Sequence, residues 1–178
     1  KSTLDNSNLK NLSQDFGFSL GVLHHVPNTQ EAIKSCSNLL KSGAPFLLYL
    51  YYSFDNRPIW YKAIWKFTNL IRKFISNLPS FLKNLITDLI AFLVYLPLAK
   101  ICYIIELIGL SSKNIPLSFY KNSSFYTMRT DSRDRFGTPL EKRFTKKQII
   151  TMMKNSGLEE IKFSSSSPYW CVLGYKKN

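Results

Sequence analysis

A strand–helix–strand text near the start of the chain is the feature that most limits its fold. After a polar, aperiodic stretch of fourteen residues, KSTLDNSNLKNLSQ, the sequence turns to DFGFSLGVLHHVP. Phe16, Phe18 and Leu20 alternate with small residues, Val22 and Leu23 follow, and Pro27 stops the run. This predicts a short buried strand ending in a loop. Pro27-Asn28-Thr29 reads as a helix start with Asn28 or Thr29 as cap. Ala32, Ile33, Cys36, Leu39 and Leu40 then recur at helical spacing, and Lys41-Ser42-Gly43 closes the helix. The continuous apolar run PFLLYLYY follows, of strand length. Two buried strands joined by such a helix form a βαβ unit and imply a parallel sheet, because a parallel pair needs a long crossover.

The middle of the chain is helical in pattern from Arg57 to about Leu110. Ile59, Ala63, Phe67, Leu70, Ile71 and Phe74 fall on one face, and Lys62, Lys66, Asn69, Arg72 and Lys73 on the other. A break is predicted at Asn77-Leu78-Pro79, and a second, more apolar helix over 81–110 with a kink at Pro97. The longest charge-free run of this stretch, Leu89 to Ala99, has eleven residues. That is short of the roughly 20 that a membrane span needs. Two placements suit this stretch: a cap packed on the sheet, or a seat at a membrane interface, for which basic faces beside Trp60, Trp65 and a broad apolar stripe are fitted. The last third returns to α/β text. Thr145 caps a helix, KKQIITMMKN, that stops at Gly157; Leu158 to Phe163 is a short strand; after SSSSP, YWCVLGY is a closing strand. With no helix between them, these last two strands pair antiparallel.

Charge narrows the partners. Lys and Arg number 24 against 11 Asp and Glu, a formal net charge of +13. Residues 1–56 balance to zero, whereas 57–113 carry +6 and 114–178 carry +7. Such an excess fits an anionic partner or simple solubility. The composition, 45% hydrophobic with only 7 Gly and 8 Pro, excludes a disordered or collagen-like chain. Cys36, Cys102 and Cys171 are too far apart for metal-ligand spacing, their odd number argues against a disulfide framework, and two histidines make a poor zinc site. No metal is expected, and the expected compartment is reducing. No signal peptide is apparent, although the first residue is Lys rather than Met.

These pieces together resemble the class I S-adenosylmethionine-dependent methyltransferases. DFGFSLGVLHHVPNTQEAIKSCSNLLKSGAPFLLYLYY is similar to that family's fourth strand, following helix and fifth strand. RFTKKQIITMMKNSGLEEIKF resembles its late helix and sixth strand, and PYWCVLGYKK its antiparallel seventh strand. The resemblance covers about half the chain, in the correct order. It implies an α/β fold, the C-terminal part of a Rossmann-like methyltransferase sheet, with core segments 1–52 and 144–178 and a long helical lid insertion over 53–143. The departure is equally definite: the seven glycines are dispersed and no G-x-G exists, so the family's glycine-rich cofactor turn is missing. The chain looks like the C-terminal portion of such an enzyme, and a fragment of this kind leaves an open sheet edge and half an apolar face.

The resemblance implies S-adenosylmethionine as cofactor, with Asp5, Ser19, Leu20 and Gly21 as the residues that contact it. In open α/β sheets ligands lie beyond the carboxyl ends of the strands, which brings in His24, His25, Tyr51 and Tyr52. A histidine titrating near neutrality suits proton removal from an oxygen or nitrogen acceptor, and tyrosine faces suit a sulfonium. His24 and His25 are therefore the candidate catalytic residues. Tyr51, Tyr52, Arg129, Asp131 and Arg135 are the candidate substrate contacts, since arginine forks bind carboxylate or phosphate. For the arginines an internal salt-bridge network is the equal alternative. The implied reaction is methyl transfer to a small or lipid-linked acceptor, in the cytoplasm and with a peripheral contact to anionic membrane. The alternative is a non-catalytic membrane-surface binding module built on the basic amphipathic helices. A nucleic-acid substrate ranks last, because no nucleic-acid-binding motif is present and LHHVP replaces the tetrapeptide of amino-methylating enzymes.

Overall fold

The computed structural model describes residues 9–166 and 170–178. The chain divides into two compact units, one made of Lys1–Asn56 with Leu140–Asn178 and the other of Arg57–Pro139.

The first unit carries the sheet. Strand β1 (Gly17–Leu20), a 3-10 turn (Leu23–His25), helix α1 (Thr29–Leu39) and strand β2 (Pro45–Tyr49) form the expected βαβ unit, with β1 and β2 parallel and Ser19 in register with Leu48. Asn28 is the cap of α1, its Oδ1 accepting from the Glu31 N–H. Strands β3 (Leu158–Phe163) and β4 (Cys171–Lys176) pair antiparallel as their short connection requires. The sheet order is β1-β2-β4-β3, so β4 lies inside the sheet, antiparallel to both neighbours, and β3 is an edge. Helix α6 in this unit (Lys146–Asn155) begins with a capping box, Thr145 and Gln148 satisfying each other's backbone N–H groups.

One face of the sheet is buried, and the other is partly buried on β2 and β4 and exposed on β1. Phe46, Leu48, Leu50 and Val172 pack with Ile33 of α1 and Ile149 and Met153 of α6 into a fully buried core. Each such side chain contributes about 1.5–3 kcal/mol on leaving water. Gly174 lets Met153 approach the strand closely, since a Cβ there would stand 2.8 Å from the Met153 Cε. The opposite face overturns the expectation of a buried first strand: Phe18 is 66% exposed, and Phe16 and Leu20 are exposed too. These residues alternate as predicted, but β1 is an edge strand and its apolar set points to the uncovered side.

The second unit is helical: α2 (Ile59–Ser76), α3 (Ser80–Ile90), a π-helical turn (Ala91–Tyr95), α4 (Leu96–Leu107), a 3-10 turn (Ser118–Asn122) and α5 (Phe125–Gly137). The break at 77–79 is present. Pro97 does not interrupt the helix. The preceding π turn, in which the Leu96 N–H reaches the Ala91 carbonyl, accommodates the proline within one continuous 28-residue helix, Ser80–Leu107. By length and composition that helix is long and apolar enough to cross a membrane, despite its short charge-free run.

Helix α2 is oriented contrary to a packed cap. Its predicted apolar face is exposed, Phe74 at 70%, whereas Arg72, expected in solvent, is 4% exposed. Its guanidinium Nη1 donates to the Thr138 and Pro139 carbonyls at 2.7 and 2.9 Å, and Nε donates to Asn69 Oδ1 at 2.8 Å. Backbone acceptors thus replace water around a cation that makes no ion pair among the described residues. The helical core is a small cluster of Ile75, Tyr95, Ala99, Met128 and Phe136.

Candidate functional site

The carboxyl ends of β1 and β2 gather a ring-lined cluster. Beyond β1 the backbone turns at Gly21, whose φ of +70° is a conformation that favours glycine and whose N–H donates to the Tyr49 carbonyl. The 3-10 turn that follows places His24 and His25 side by side, ring centroids 4.1 Å apart. Tyr51 stacks on His24 at 3.7 Å. The Arg143 guanidinium lies over Tyr51 and Phe54 at 5.1 and 4.7 Å, and its Nε pairs with the buried Glu141 at 2.9 Å. Tyr52 packs against Phe54 and Trp170. The segment 140–144 ties these parts together: Phe144 donates to the Tyr51 carbonyl and Lys142 to that of His24.

The two histidines differ sharply. His24 is fully buried and neither ring nitrogen has a hydrogen-bond partner among the described residues. Burial, then the neighbouring charges of His25 and Arg143, lower its pKa from 6.5 to about 3. His24 is therefore a neutral imidazole at physiological pH and does not have the near-neutral titration expected of a catalytic histidine. His25 is half-buried, with Nδ1 2.7 Å from the Leu140 carbonyl. A carbonyl only accepts, so Nδ1 carries a proton, and in the neutral ring Nε2 holds the lone pair.

Other predicted residues are distributed as follows. Asp5 lies outside the described residues. Ser19 is buried in register with Leu48, its hydroxyl without a hydrogen-bond partner among the described residues. Leu20 is exposed at the end of β1. Arg129, Asp131 and Arg135 belong to α5 in the helical unit and are engaged within it. Arg129 is 3.6 Å from Asp88, Asp131 accepts from the Tyr120 hydroxyl at 2.8 Å, and Arg135 lies over Trp65 and Phe136. Arg133 makes the stronger, two-pronged pair with Asp88 at 2.8 and 2.7 Å. Among the described residues no group of three metal-ligating side chains occurs. Arg143 and Glu141 were not among the predicted site residues. Their signal was the unusual density of charge beside Phe144, read as part of the insertion rather than as the wall of the histidine pair.

No family model matches the chain. No curated protein matches it either. Solved structures do. A Thermotoga maritima S-adenosylmethionine-dependent methyltransferase, described as a possible histamine N-methyltransferase, matches with a TM-score of 0.44 and 13% identity over 99% of this chain and 62% of its own. A methyltransferase from Methanosarcina mazei gives 0.46 and 11% over 99% of this chain and 65% of its own. A possible exported protein of Bordetella parapertussis gives 0.46 and 10%, covering 96% and 41%. The chain thus spans less than two thirds of the length of each. The described residues form a mixed α/β fold with a four-stranded sheet.

Proposed function

We propose that the protein transfers a methyl group from S-adenosylmethionine to an oxygen or nitrogen on a small or lipid-linked acceptor, at the carboxyl ends of β1 and β2. The observation that carries this reading is the histidine pair. His25 presents Nε2 as a proton acceptor, held in that tautomer by Leu140, beside a permanently neutral His24 and the ring of Tyr51. Proton removal by a positioned base is worth 10²–10⁴-fold, and alignment of acceptor and donor carbon supplies much of the rest.

S-adenosylmethionine supplies an electrophilic methyl on a sulfonium. The residues present fit its reacting end. Leu20 and Gly21 offer backbone at the strand terminus, and the buried His24 nitrogens are polar atoms with no partner among the described residues. Its sugar and amino-acid end has no glycine-rich turn to meet in this sequence. Arg143 over Tyr51 keeps the ring oriented, and Glu141 offsets that cation.

The test is binding of S-adenosylhomocysteine to the full-length protein by calorimetry, followed by transfer of labelled methyl into aqueous and lipid extracts. Saturable binding and a labelled product are expected, with His25→Gln lowering turnover by about 10²–10⁴-fold at unchanged cofactor affinity. Absence of binding overturns the proposal. A second reading, the non-catalytic membrane-surface module, is favoured by the exposed apolar face of α2. A protein that binds vesicles but neither S-adenosylmethionine nor its product selects it.

A further inference from the structure

The helical unit sorts its residues by size the wrong way round for water. Along the helix Ser80–Leu107 the buried positions are Thr87, Ala91, Tyr95, Ala99 and Cys102, mostly small residues. Many of the large ones, among them Phe81, Leu89, Phe92, Leu93, Ile104 and Leu107, are exposed, while Ile86, Ile90 and Leu96 are partly buried. In soluble proteins leucine and phenylalanine go inside. Small residues at helix contacts with large apolar ones outside is the arrangement that lipid selects.

Helix α2 repeats the pattern and adds charge. At 100° per residue, its exposed apolar positions, from Ile59 and Leu70 round through Phe74 and Phe67 to Ile71 and Ile64, fill an arc of about 140°. Lys62, Lys66 and Lys73 occupy the next ~60° on one border of that arc, and they make no ion pair among the described residues. Trp60 lies on the apolar arc, a side chain suited to the headgroup level. The unit as a whole carries twelve basic and four acidic residues, a net of +8. An apolar arc bordered by unpaired lysines is complementary to one surface in particular, a bilayer with anionic headgroups.

The same structure favours an in-plane seat over a span. Asp88, eight residues into the long helix, is held by Arg129 and Arg133, and the Ser132 hydroxyl donates to the Thr87 carbonyl. Glu106 is held by Lys121. A span would carry these charged groups of α5 and the 3-10 turn toward the hydrocarbon core, where they are costly. We infer that the helical unit is a monotopic membrane anchor: α2, α3 and α4 lie in the interface of an anionic bilayer, with their large apolar side chains in the acyl boundary and the α2 lysines at the phosphates. This inference stands on the helical unit alone and does not depend on methyl transfer.

The test is co-sedimentation of the full-length protein with vesicles of phosphatidylcholine alone, or mixed with phosphatidylglycerol, at low and high salt. Binding stronger on the anionic vesicles and weakened by salt is expected. F67E/F74E is expected to lower partition about tenfold or more on both vesicle types. K62Q/K66Q/K73Q is expected to lower it on the order of a hundredfold on the anionic ones, with little change on the neutral ones. Four of the five positions are exposed and Lys62 is partly buried, so far-UV circular dichroism should match the parent. Failure to bind vesicles, or equal binding by F67E/F74E, overturns the inference. A soluble dimer that F67E/F74E converts to monomer assigns the face to a second copy and overturns it too. Resistance to carbonate extraction with protease protection from both sides overturns the in-plane seat in favour of a span.

Discussion

His24→Phe is expected to leave the protein at least as stable as the parent near neutral pH, and to remove much of its sensitivity to acid. His24 is fully buried and stacked on Tyr51, and neither of its nitrogens is hydrogen-bonded within the described residues. An unsatisfied buried polar group costs about 1–3 kcal/mol, and a phenyl ring keeps the stacking without that cost. A gain of about 1 kcal/mol is the central expectation. The acid limb follows from linkage. In the unfolded chain the imidazole takes a proton below its ordinary value of 6.5, but in the folded chain only below about 3. Between those values the unfolded state binds more protons, so stability falls as the pH falls. The slope is about 1.4 kcal/mol per pH unit, or about 2 kcal/mol lost between pH 6.5 and ~5. Urea unfolding of parent and variant at ~pH 7 and ~pH 5 isolates this contribution, since every other titrating group is common to both. Equal pH dependence in the two proteins would refute the buried, neutral imidazole. A loss of about 2 kcal/mol or more in the variant at neutral pH would show that the nitrogens are in use. If the histidine pair serves a reaction, the stabilised variant should also be the less active one.

Three further outcomes test the frame around the site. Arg72→Met should destabilise the helical unit by about 3 kcal/mol in urea unfolding followed by tryptophan fluorescence, because it strands the Thr138 and Pro139 carbonyls; a change below about 0.5 kcal/mol would mean those carbonyls find water. Gly174→Val should cost about 1–3 kcal/mol through the clash with Met153, and Met153→Ala in the same chain should relieve part of it, measured as a double-mutant cycle. Gly21→Ala should cost about 1–2 kcal/mol from its positive φ alone, the nearest atom to a new Cβ being Tyr49 Cδ1 at 4.0 Å; thermal unfolding reads it, and a neutral result would show that the turn relaxes.

The elements that periodicity and caps define were legible: the βαβ start, the break at 77–79, the Thr145 N-cap and the antiparallel last pair. What was not legible depends on residues distant in sequence. Phe18 and Leu20 read as core because alternation reports a face without saying whether anything covers it. Arg72 read as solvent-facing because its charge is local information, whereas the carbonyls that bury it stand 66 and 67 residues away. The two histidines are indistinguishable as text. Tyr51 and Leu140 make one a neutral stacked ring and the other an oriented proton acceptor.

The π turn at Ala91–Tyr95 has a consequence for how this helix tolerates change. Its buried residues Thr87, Ala91, Tyr95 and Ala99 are spaced by four. Four residues of ideal α-helix overshoot a turn by about 40°, so three such steps would swing the contact stripe about 120° round the rod. A wide turn takes in roughly one extra residue, near 100°, and cancels most of that drift. Losing a single residue there would turn the wide turn into an ordinary α turn and keep Ala99 and Cys102 on their present side, whereas losing one elsewhere in the helix would swing them by about 100°. Related chains are better compared at this helix by residue count than by residue identity.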